Sequence, residues 1–237
     1  MIRFVSLADD TPELRFSPLL RAGQAVLKEA TAQQGIRLTR TGAFNRDFVD
    51  LVARQWNWPD MGYSELMRGR QFLRETDFIA LQTIHHLLLK LRLGSHERGR
   101  FRTTKLGRRL SLCKARLFSE LIPYYILCFD HLALTSYVGS PVGDWQSWLA
   151  SVDAMPKHGF SARDVFLSVD GRSIDREPFN WHRLSAFAAT VLRPLLWAGL
   201  IQVPPTIKTL GEVERTYCKT PLWHVAVQCD LRARSLG

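Results

Sequence analysis

The chain has 237 residues, of which 46% are hydrophobic, and a formal net charge of +10 at pH 7. This length fits one large domain or two small ones, and the composition provides for buried cores, which excludes an intrinsically disordered chain. No apolar run reaches the roughly 18 residues of a membrane helix, and the N-terminus lacks the long apolar stretch of a signal peptide. We therefore expect a soluble, cytoplasmic protein without a membrane partner.

The cysteines give no sign of a metal site or a disulfide framework. They lie at Cys113, Cys128, Cys218 and Cys229, without C-x-x-C spacing and in apolar or amphipathic surroundings. Free cysteine is among the most buried residue types, so the sequence predicts reduced, mostly buried thiols. We expect no cofactor.

The first third of the chain predicts helices joined by a brief strand and turns. The predicted elements are, in chain order, a helix over 17–35, a strand over 36–39, a helix over 45–56 and a helix over 75–94. Ser17 and Asn45 are the expected N-terminal caps, and Gly35 is the expected end of the first helix. In the last helix Ile84 and Leu88 lie on one broad apolar face, so we expect both to be buried.

A charged hairpin is predicted directly after that helix. In the segment "SHERGRFRTTKLG" Gly99 can supply the turn, and Phe101 is the apolar side chain expected to face the core. Helical periodicity resumes after the hairpin, with a bend or interruption expected near Pro123.

The second half of the chain predicts a further helical domain. The turn-rich stretch "TSYVGSPVGDW" favours a boundary, which gives domains over 1–135 and 136–237. Two short helices are then followed by a long one with Leu192 and Leu196 on its buried face, and Pro194 is expected to kink it or break it at Arg193. A strand, a loop, a strand and a terminal helix complete the chain.

An internal repeat connects the two halves. A strand, a threonine and the start of a helix recur at Thr39, Thr104 and Thr220, and the last two threonines each follow a leucine-rich helix and a hairpin or irregular segment. The threonine hydroxyl can cap the helix that leaves the strand. The sequence therefore predicts a mainly α fold with small antiparallel β-hairpins (α+β), arranged as two related units.

The segment "LLLKLRLGSHERGRFRTTKLG" resembles the winged-helix (winged helix-turn-helix) superfamily of bacterial transcription regulators, and "VLRPLLWAGLIQVPP" with "RTYCKTPLW" is a weaker second copy. The chain is similar to tandem winged-helix arrangements in plasmid- and phage-associated bacterial proteins. The resemblance implies that the helix before the wing enters the major groove while the wing reaches the backbone or the minor groove. On this helix Gln82, His86 and Lys90 share one face, with His85 beside them, and would read base edges. The alternative is that His85 and His86 are partly buried packing residues.

Positive charge is concentrated at the predicted wing. Residues 90–116 carry ten basic side chains and a single acidic one, and residues 117–237 have no net charge. A segment so one-sided indicates a polyanionic partner, although a merely solvated basic face is the alternative. The candidate wing contacts are Arg98, Arg100 and Arg102, expected on one face of a strand, and Lys105, Arg108 and Arg109, expected where a helix start favours phosphate.

The neutral second half predicts a partner-binding or dimerising copy of the same fold. Arg183 and Arg193 are expected to be exposed, Glu212 and Glu214 to lie on its hairpin, and Trp181, Phe187 and Trp197 to form core or contact surface. No nucleotide-binding, zinc-protease or nucleophile motif occurs, so we do not expect an enzyme. The function expected is that of a double-stranded DNA-binding protein, a transcriptional regulator or a plasmid- or phage-associated factor with a basic wing. The alternative is a protein-interaction module that binds a host protein or nucleoprotein complex.

Overall fold

A computed structural model describes residues 1–56, 58–59, 61–133, 135, 143–171, 178–204 and 215–229, without the side chains of 178–180 and 229. The chain divides into two compact units. The N-terminal unit is Ala8–Ile122, and the C-terminal unit is Met1–Leu7 together with Pro123–Gly237. The predicted boundary segment lies mostly outside the described residues, so the division into domains at residue 135 stays a prediction.

The first strand of the chain, β1 (Ile2–Phe4), belongs to the C-terminal unit. The elements that follow in the N-terminal unit are α1 (Pro18–Ala32), β2 (Ile36–Arg37), α2 (Arg46–Gln55), α3 (Tyr63–Met67), α4 (Ile79–Lys90), β3 (Gly94–Glu97), β4 (Arg100–Thr103), α5 (Lys105–Ser111) and α6 (Lys114–Leu127), the last of which extends into the C-terminal unit. Strands β2, β4 and β3 form an antiparallel sheet in that order.

Local signals set the ends of the first two helices. The Ser17 hydroxyl accepts a hydrogen bond from the Leu20 amide (3.2 Å) and so caps α1, as predicted. Gly35 follows α1 with a φ of 110°, a conformation that favours glycine. Asn45 occupies the N-cap position of α2, but its side chain makes no capping hydrogen bond, so the prediction of a side-chain cap is wrong.

The hairpin between β3 and β4 was predicted correctly. Arg98 and Gly99 form its two-residue turn, with φ values of 49° and 72°. Positive φ at both central residues is the geometry that matches the twist of paired strands. Phe101 lies opposite Ile36 and His96 and is completely buried, so the hairpin is fixed to the core through this ring.

Helix α4 packs its apolar face into the core, and Ile84 and Leu88 are fully buried as predicted. Gly94 does not end this helix but begins β3. A side chain there is excluded because a Cβ atom would lie 2.1 Å from the Phe101 ring. The glycine therefore serves the packing of the hairpin.

The interruption expected near Pro123 lies elsewhere. Pro123 is inside α6, and the break falls at Leu112 and Cys113, between α5 and α6. The Asp9 carboxylate accepts a hydrogen bond from the Ala115 amide in the first turn of α6 (3.0 Å). A residue more than a hundred positions away thus helps to set where α6 begins.

The elements of the C-terminal unit after α6 are α7 (Trp145–Ala154), β5 (Phe160–Ser161), α8 (Ala162–Asp170), α9 (Pro178–Phe187), α10 (Arg193–Ala198), β6 (Ile201–Gln202), β7 (Thr216–Lys219), α11 (Pro221–Ala226) and β8 (Val227–Cys229). Strands β5, β7 and β6 form an antiparallel sheet in that order, and β1 pairs with β8. The fold is mainly α with small antiparallel sheets, as predicted.

Pro194 does not break the long helix. A π-helical segment, Ala188–Leu192, connects α9 to α10, and Pro194 lies in the first turn of α10. A π turn changes the backbone hydrogen-bonding pattern just before the residue that lacks an amide, so the chain remains helical through Arg193. Leu192 and Leu196 are both buried, as predicted.

The C-terminal ends of α4 and α10 have the same geometry. The Leu93 amide donates to the Leu88 carbonyl at 2.8 Å, and the Leu200 amide donates to the Leu195 carbonyl at 2.9 Å. In each case the preceding residue has a left-handed conformation, with φ of 56° at Arg92 and 80° at Gly199. These are the hydrogen bonds and φ values that commonly end helices.

The repeated threonines extend this equivalence. The amides of Thr104 and Thr220 each donate at 3.0 Å to the leucine carbonyl after the helix, Leu93 and Leu200 respectively. Thr104 also caps α5, accepting from the Gly107 amide at 3.0 Å. The Thr220 side chain makes no capping hydrogen bond with α11.

Thr39 was wrongly placed in this series. It accepts a hydrogen bond from the Ala43 amide within a turn and starts no helix. The repeat in the structure therefore comprises the hairpin and its helices, not every strand followed by a threonine.

Two further expectations concern membranes and thiols. No helix within the described ranges is long and apolar enough to cross a membrane. Cys113 and Cys218 are half-buried and Cys128 is exposed, and all three are free. The prediction that these thiols are mostly buried is therefore wrong.

Candidate nucleic-acid interface

The turn of the hairpin places Arg98 at its tip. The sequence predicted Arg98, Arg100 and Arg102 on one face of a strand, but β4 begins only at Arg100. Because Arg98 and Gly99 form the turn, the alternation of faces starts after them. Arg98 is exposed at the tip, and only the other two arginines share a strand face.

Arg100 and Arg102 lie across the end of α1. A Cβ atom at Gly35 would be 3.1 Å from Arg100 Cβ and from Arg102 Cγ, so both side-chain stems cover this glycine. Arg100 donates from Nη1 to the Gly35 carbonyl at 2.8 Å, and Arg102 Nε is 3.6 Å from Glu97 Oε2. Arg100 is thus hydrogen-bonded within the protein. Arg102 lies within ion-pair distance of Glu97, the one acidic residue of the basic segment.

The predicted reading face of α4 is only partly on the surface. Gln82 is half-buried, and His86 and Lys90 are exposed. Burial, followed by the charges of Lys90 and His85, lowers the pKa of His86, which favours its neutral form. His85 is buried, so its expected place beside these residues on the surface is wrong and the packing alternative is correct for it.

The basic residues of α5 are exposed, at Lys105, Arg108 and Arg109. The expectation that the helix start itself offers its amides needs correction, because the Gly107 amide is already bonded to the Thr104 hydroxyl. The three cationic side chains are therefore the exposed groups that α5 presents to a phosphate.

A polar cleft of about 350 Å³ lies between the end of α1, the hairpin and the start of α5. Arg102 and Arg108 both line it, together with the hydroxyl-bearing residues Ser95 and Thr104. Glu97 is also part of the lining. The cleft thus brings two predicted contact residues from different elements to one place, with a carboxylate beside them.

A second cluster of arginines was not predicted. The exposed Phe72 ring has the guanidinium of Arg46 at 4.8 Å and that of Arg74 at 5.4 Å from its centroid. Attraction between a cation and an aromatic face is worth about 0.5–1 kcal/mol at an exposed site. The basic, aromatic stretch "RGRQFLR" was the signal available in the sequence.

A cluster of three titratable groups was also missed, in which Glu75 and His85 are buried and His96 is exposed. His85 Nδ1 is 2.7 Å from Glu75 Oε1, and His85 Nε2 is 2.8 Å from His96 Nε2. The other Glu75 oxygen accepts a hydrogen bond from the Phe44 amide. These residues come from a 3-10 turn, from α4 and from β3, so no spacing in the sequence indicates their contact. Among the described residues, no group of three or more His, Cys, Asp or Glu side chains is arranged to hold a metal ion.

The candidate contact residues of the C-terminal unit are mostly engaged or buried. Arg183 donates to Asp170 at 2.9 Å, and Arg193 is half-buried, so the prediction that these arginines are exposed is wrong. Trp197 and Phe187 are buried, whereas Trp181 on α9 is 53% exposed. Glu212 and Glu214 lie outside the described residues. Trp181 is therefore the aromatic residue of this set that is left for a contact surface.

Residues 15–116 match the family model of the Y4jL N-terminal domain, and residues 136–221 match that of the y4jL C-terminal domain. The two halves of the chain are similar to the two y4jL domains. A curated protein of Sinorhizobium fredii (strain NBRC 101917 / NGR234), named "Uncharacterized protein y4jL", is 26% identical over 166 residues, which are 70% of this chain and 76% of that protein. No solved structure matches the chain. The y4jL likeness thus covers both units and assigns no activity.

Proposed function

We propose that the N-terminal unit binds double-stranded DNA through its basic hairpin and the adjacent helices, in a bacterial transcriptional regulator or a plasmid- or phage-associated factor. The two units are proposed to be tandem winged-helix-like modules, and the protein is proposed to act by binding, in the cytoplasm, without catalysis. The observation that carries this proposal is the placement of the segment 90–116, with nine net positive charges, on one hairpin and the helices that flank it.

Exposure of the cationic groups supports the proposal. Lys90, Arg98, Lys105, Arg108 and Arg109 are all exposed, and none of them is in a salt bridge among the described residues. Cations that are already paired within a protein gain less from a phosphate than cations that only water solvates. These five side chains are therefore the proposed phosphate contacts, with Lys90 assigned to phosphate in place of the base contact predicted for it, and Gln82 and His86 are the proposed contacts to bases.

A protein-interaction module is the second candidate. Its support is the exposure of large apolar side chains, with Leu112 79% and Trp181 53% exposed. Exposed aromatic residues are enriched at protein interfaces. In this alternative the neutral C-terminal unit binds a protein partner or a second copy of the chain.

Salt dependence of duplex binding tests the leading proposal. If five phosphates are neutralised, log affinity falls with log salt concentration at a slope of about −4.5. Fluorescence anisotropy with a labelled duplex, between low and moderate salt, measures this slope. Flat salt dependence, or no binding to any duplex, contradicts the proposal.

A matched pair of variants locates the interface. Replacing Arg108 and Arg109 by alanine is expected to weaken binding to all duplexes and to make the slope less negative by about 1.8. Replacing the exposed Lys157 and Arg163 of the C-terminal unit removes the same charge and is expected to leave the slope unchanged. Equal effects of the two variants would show that net charge, not the position of these residues in α5 beside the hairpin, determines binding. A monodisperse monomer that recovers one protein partner and no nucleic acid would favour the second candidate.

A further inference from the structure

The Glu75–His85–His96 chain joins three elements of the N-terminal unit through two hydrogen bonds. Glu75 lies in the 3-10 turn before α4, His85 in α4 and His96 in β3. The distances are 2.7 Å from Glu75 Oε1 to His85 Nδ1 and 2.8 Å from His85 Nε2 to His96 Nε2. The second bond directly connects the hairpin to the helix that carries Gln82, His86 and Lys90.

The number of protons bound to Glu75, His85 and His96 decides whether the hydrogen bond between His85 and His96 exists. A carboxylate only accepts, so its hydrogen bond with His85 requires the proton on Nδ1, and a hydrogen bond between the two Nε2 atoms requires one proton between them. One imidazole of the pair can take an additional proton, because the other still accepts through its lone pair. A second additional proton makes both rings cationic, so that two N–H groups face each other and the hydrogen bond is lost.

The surroundings make the second proton costly. Glu75 and His85 are buried, whereas His96 is exposed, and the His85 ring stacks on Phe44 at 4.0 Å and meets the edge of Phe101 at 5.3 Å. Partial desolvation, followed by the charge of His85, lowers the pKa of His96, and the charge of Glu75 opposes this. On the same helix Lys90 carries a positive charge, and burial, followed by the charges of Lys90 and His85, lowers the pKa of His86.

The C-terminal unit shows that this position of the fold does not require a histidine. His85 lies eight residues before Leu93, and Leu192 lies eight residues before the equivalent Leu200. Leu192 is completely buried. An apolar side chain therefore fills the same place in the C-terminal unit, and at this position the buried histidine occurs in the basic unit.

We propose that Glu75, His85 and His96 form a proton-operated clasp that holds the hairpin against α4, and that binding of a second proton to the imidazole pair releases it. The part of the proposal that concerns nucleic acid rests on the proposed function: release of β3 separates the basic hairpin from the helix face and lowers the affinity for a duplex at acid pH.

The direction of the pH dependence follows from the lowered pKa of His96. When the clasp is open, His96 titrates near its ordinary pKa of about 6.5, and when the clasp is closed it titrates lower. The open state therefore binds more protons in acid, so the clasp is stable above about pH 6.5 and is progressively lost as the pH falls below it. One proton changes the equilibrium by at most about tenfold per pH unit.

Hydrogen-exchange protection factors of the β3 and β4 amides test the clasp without nucleic acid. In the full-length chain we expect them to fall several-fold between pH 7 and pH 5. The amides of β6 and β7 are the internal control, because Leu192 replaces the histidine there. Protection factors of β3 and β4 that stay constant, or that fall equally with those of β6 and β7, overturn the proposal.

Two variants separate the clasp from general acid sensitivity. His96→Gln keeps an N–H donor for His85 but does not titrate, so the protection of β3 and β4 should change less than twofold over this range. His86→Gln removes the neighbouring exposed histidine and should behave like the wild type. Circular dichroism checks that both variants fold, and NMR titration of the imidazole protons in the wild type gives a second measurement. Independent titration of His85 and His96, or unchanged pH dependence in His96→Gln, contradicts the clasp.

Duplex affinity measured at constant ionic strength over the same pH range completes the test. We expect the wild type and His86→Gln to lose affinity together with hairpin protection, and His96→Gln to keep its affinity. If protection follows pH but no duplex binds at any pH, the clasp stands and the proposed function fails. If the duplex binds with a pH dependence that His96→Gln does not alter, the coupling of the clasp to binding is refuted.

Discussion

Replacing Gly107 by alanine tests whether the contact between α5 and the hairpin is as close as the structure shows. A Cβ atom at this position would lie 2.0 Å from the Leu93 carbonyl oxygen and 2.9 Å from its carbon. These atoms belong to the backbone and cannot rotate away. Helix α5 must therefore move off the segment that connects α4 to β3.

The cost follows from the hydrogen bonds that this movement disrupts. The Leu93 carbonyl accepts from the Thr104 amide at 3.0 Å, and the Thr104 hydroxyl accepts from the Gly107 amide at 3.0 Å. The same hydroxyl shares its one proton between the carbonyls of Arg92 (2.8 Å) and Leu93 (3.2 Å). Three bonds at about 1 kcal/mol each give a loss of about 3 kcal/mol. Alanine is preferred over glycine in a helix by about 1 kcal/mol, so we expect a net destabilisation of about 2 kcal/mol.

The sign of the effect makes the measurement decisive. Helix propensity alone predicts that Gly107→Ala increases the free energy of unfolding, whereas the contact with Leu93 predicts a decrease. Urea unfolding followed by circular dichroism and by the hairpin amide protons measures the change. Lys105→Ala, an exposed position in the same helix, is the control and should change the free energy of unfolding by less than about 0.5 kcal/mol. A neutral or stabilising Gly107→Ala would refute the close packing of α5.

Two further stability changes are expected from substitutions in the same unit. Leu88→Ala, at a fully buried position of α4, should lower the free energy of unfolding by about 2–5 kcal/mol in urea titrations, while Leu112→Ala, at a side chain that is 79% exposed, should change it by less than about 0.5 kcal/mol. Thr104→Val removes the cap on Gly107 and the hydrogen bond to the Arg92 carbonyl, so a loss of about 1–2 kcal/mol is expected, with the thermal midpoint as the readout. An unchanged midpoint would show that the backbone bonds of Thr104 suffice.

Local chemistry made the helices and the hairpin predictable. Periodic apolar residues identified α4, Ser17 marked the beginning of α1, and Gly99 marked the turn of the hairpin, because each of these features acts on neighbours within a few residues. The repeat of Thr104 and Thr220 was visible for the same reason. The concentration of positive charge in 90–116 is likewise a property of the sequence alone.

Tertiary contacts decided which of the candidate residues are available. Arg100 is bound to the Gly35 carbonyl, and His85 is buried between Glu75 and His96, although the sequence marks all of these residues only as polar. The hydrogen-bond partners lie 65, 10 and 11 residues apart in the sequence and on different elements. No periodic pattern in the sequence predicts such contacts. The sequence determined where charge and helices occur, whereas the packing of β3 and β4 against α1 and α4 determined which charges remain exposed, since a side chain's partners depend on elements that only folding brings together.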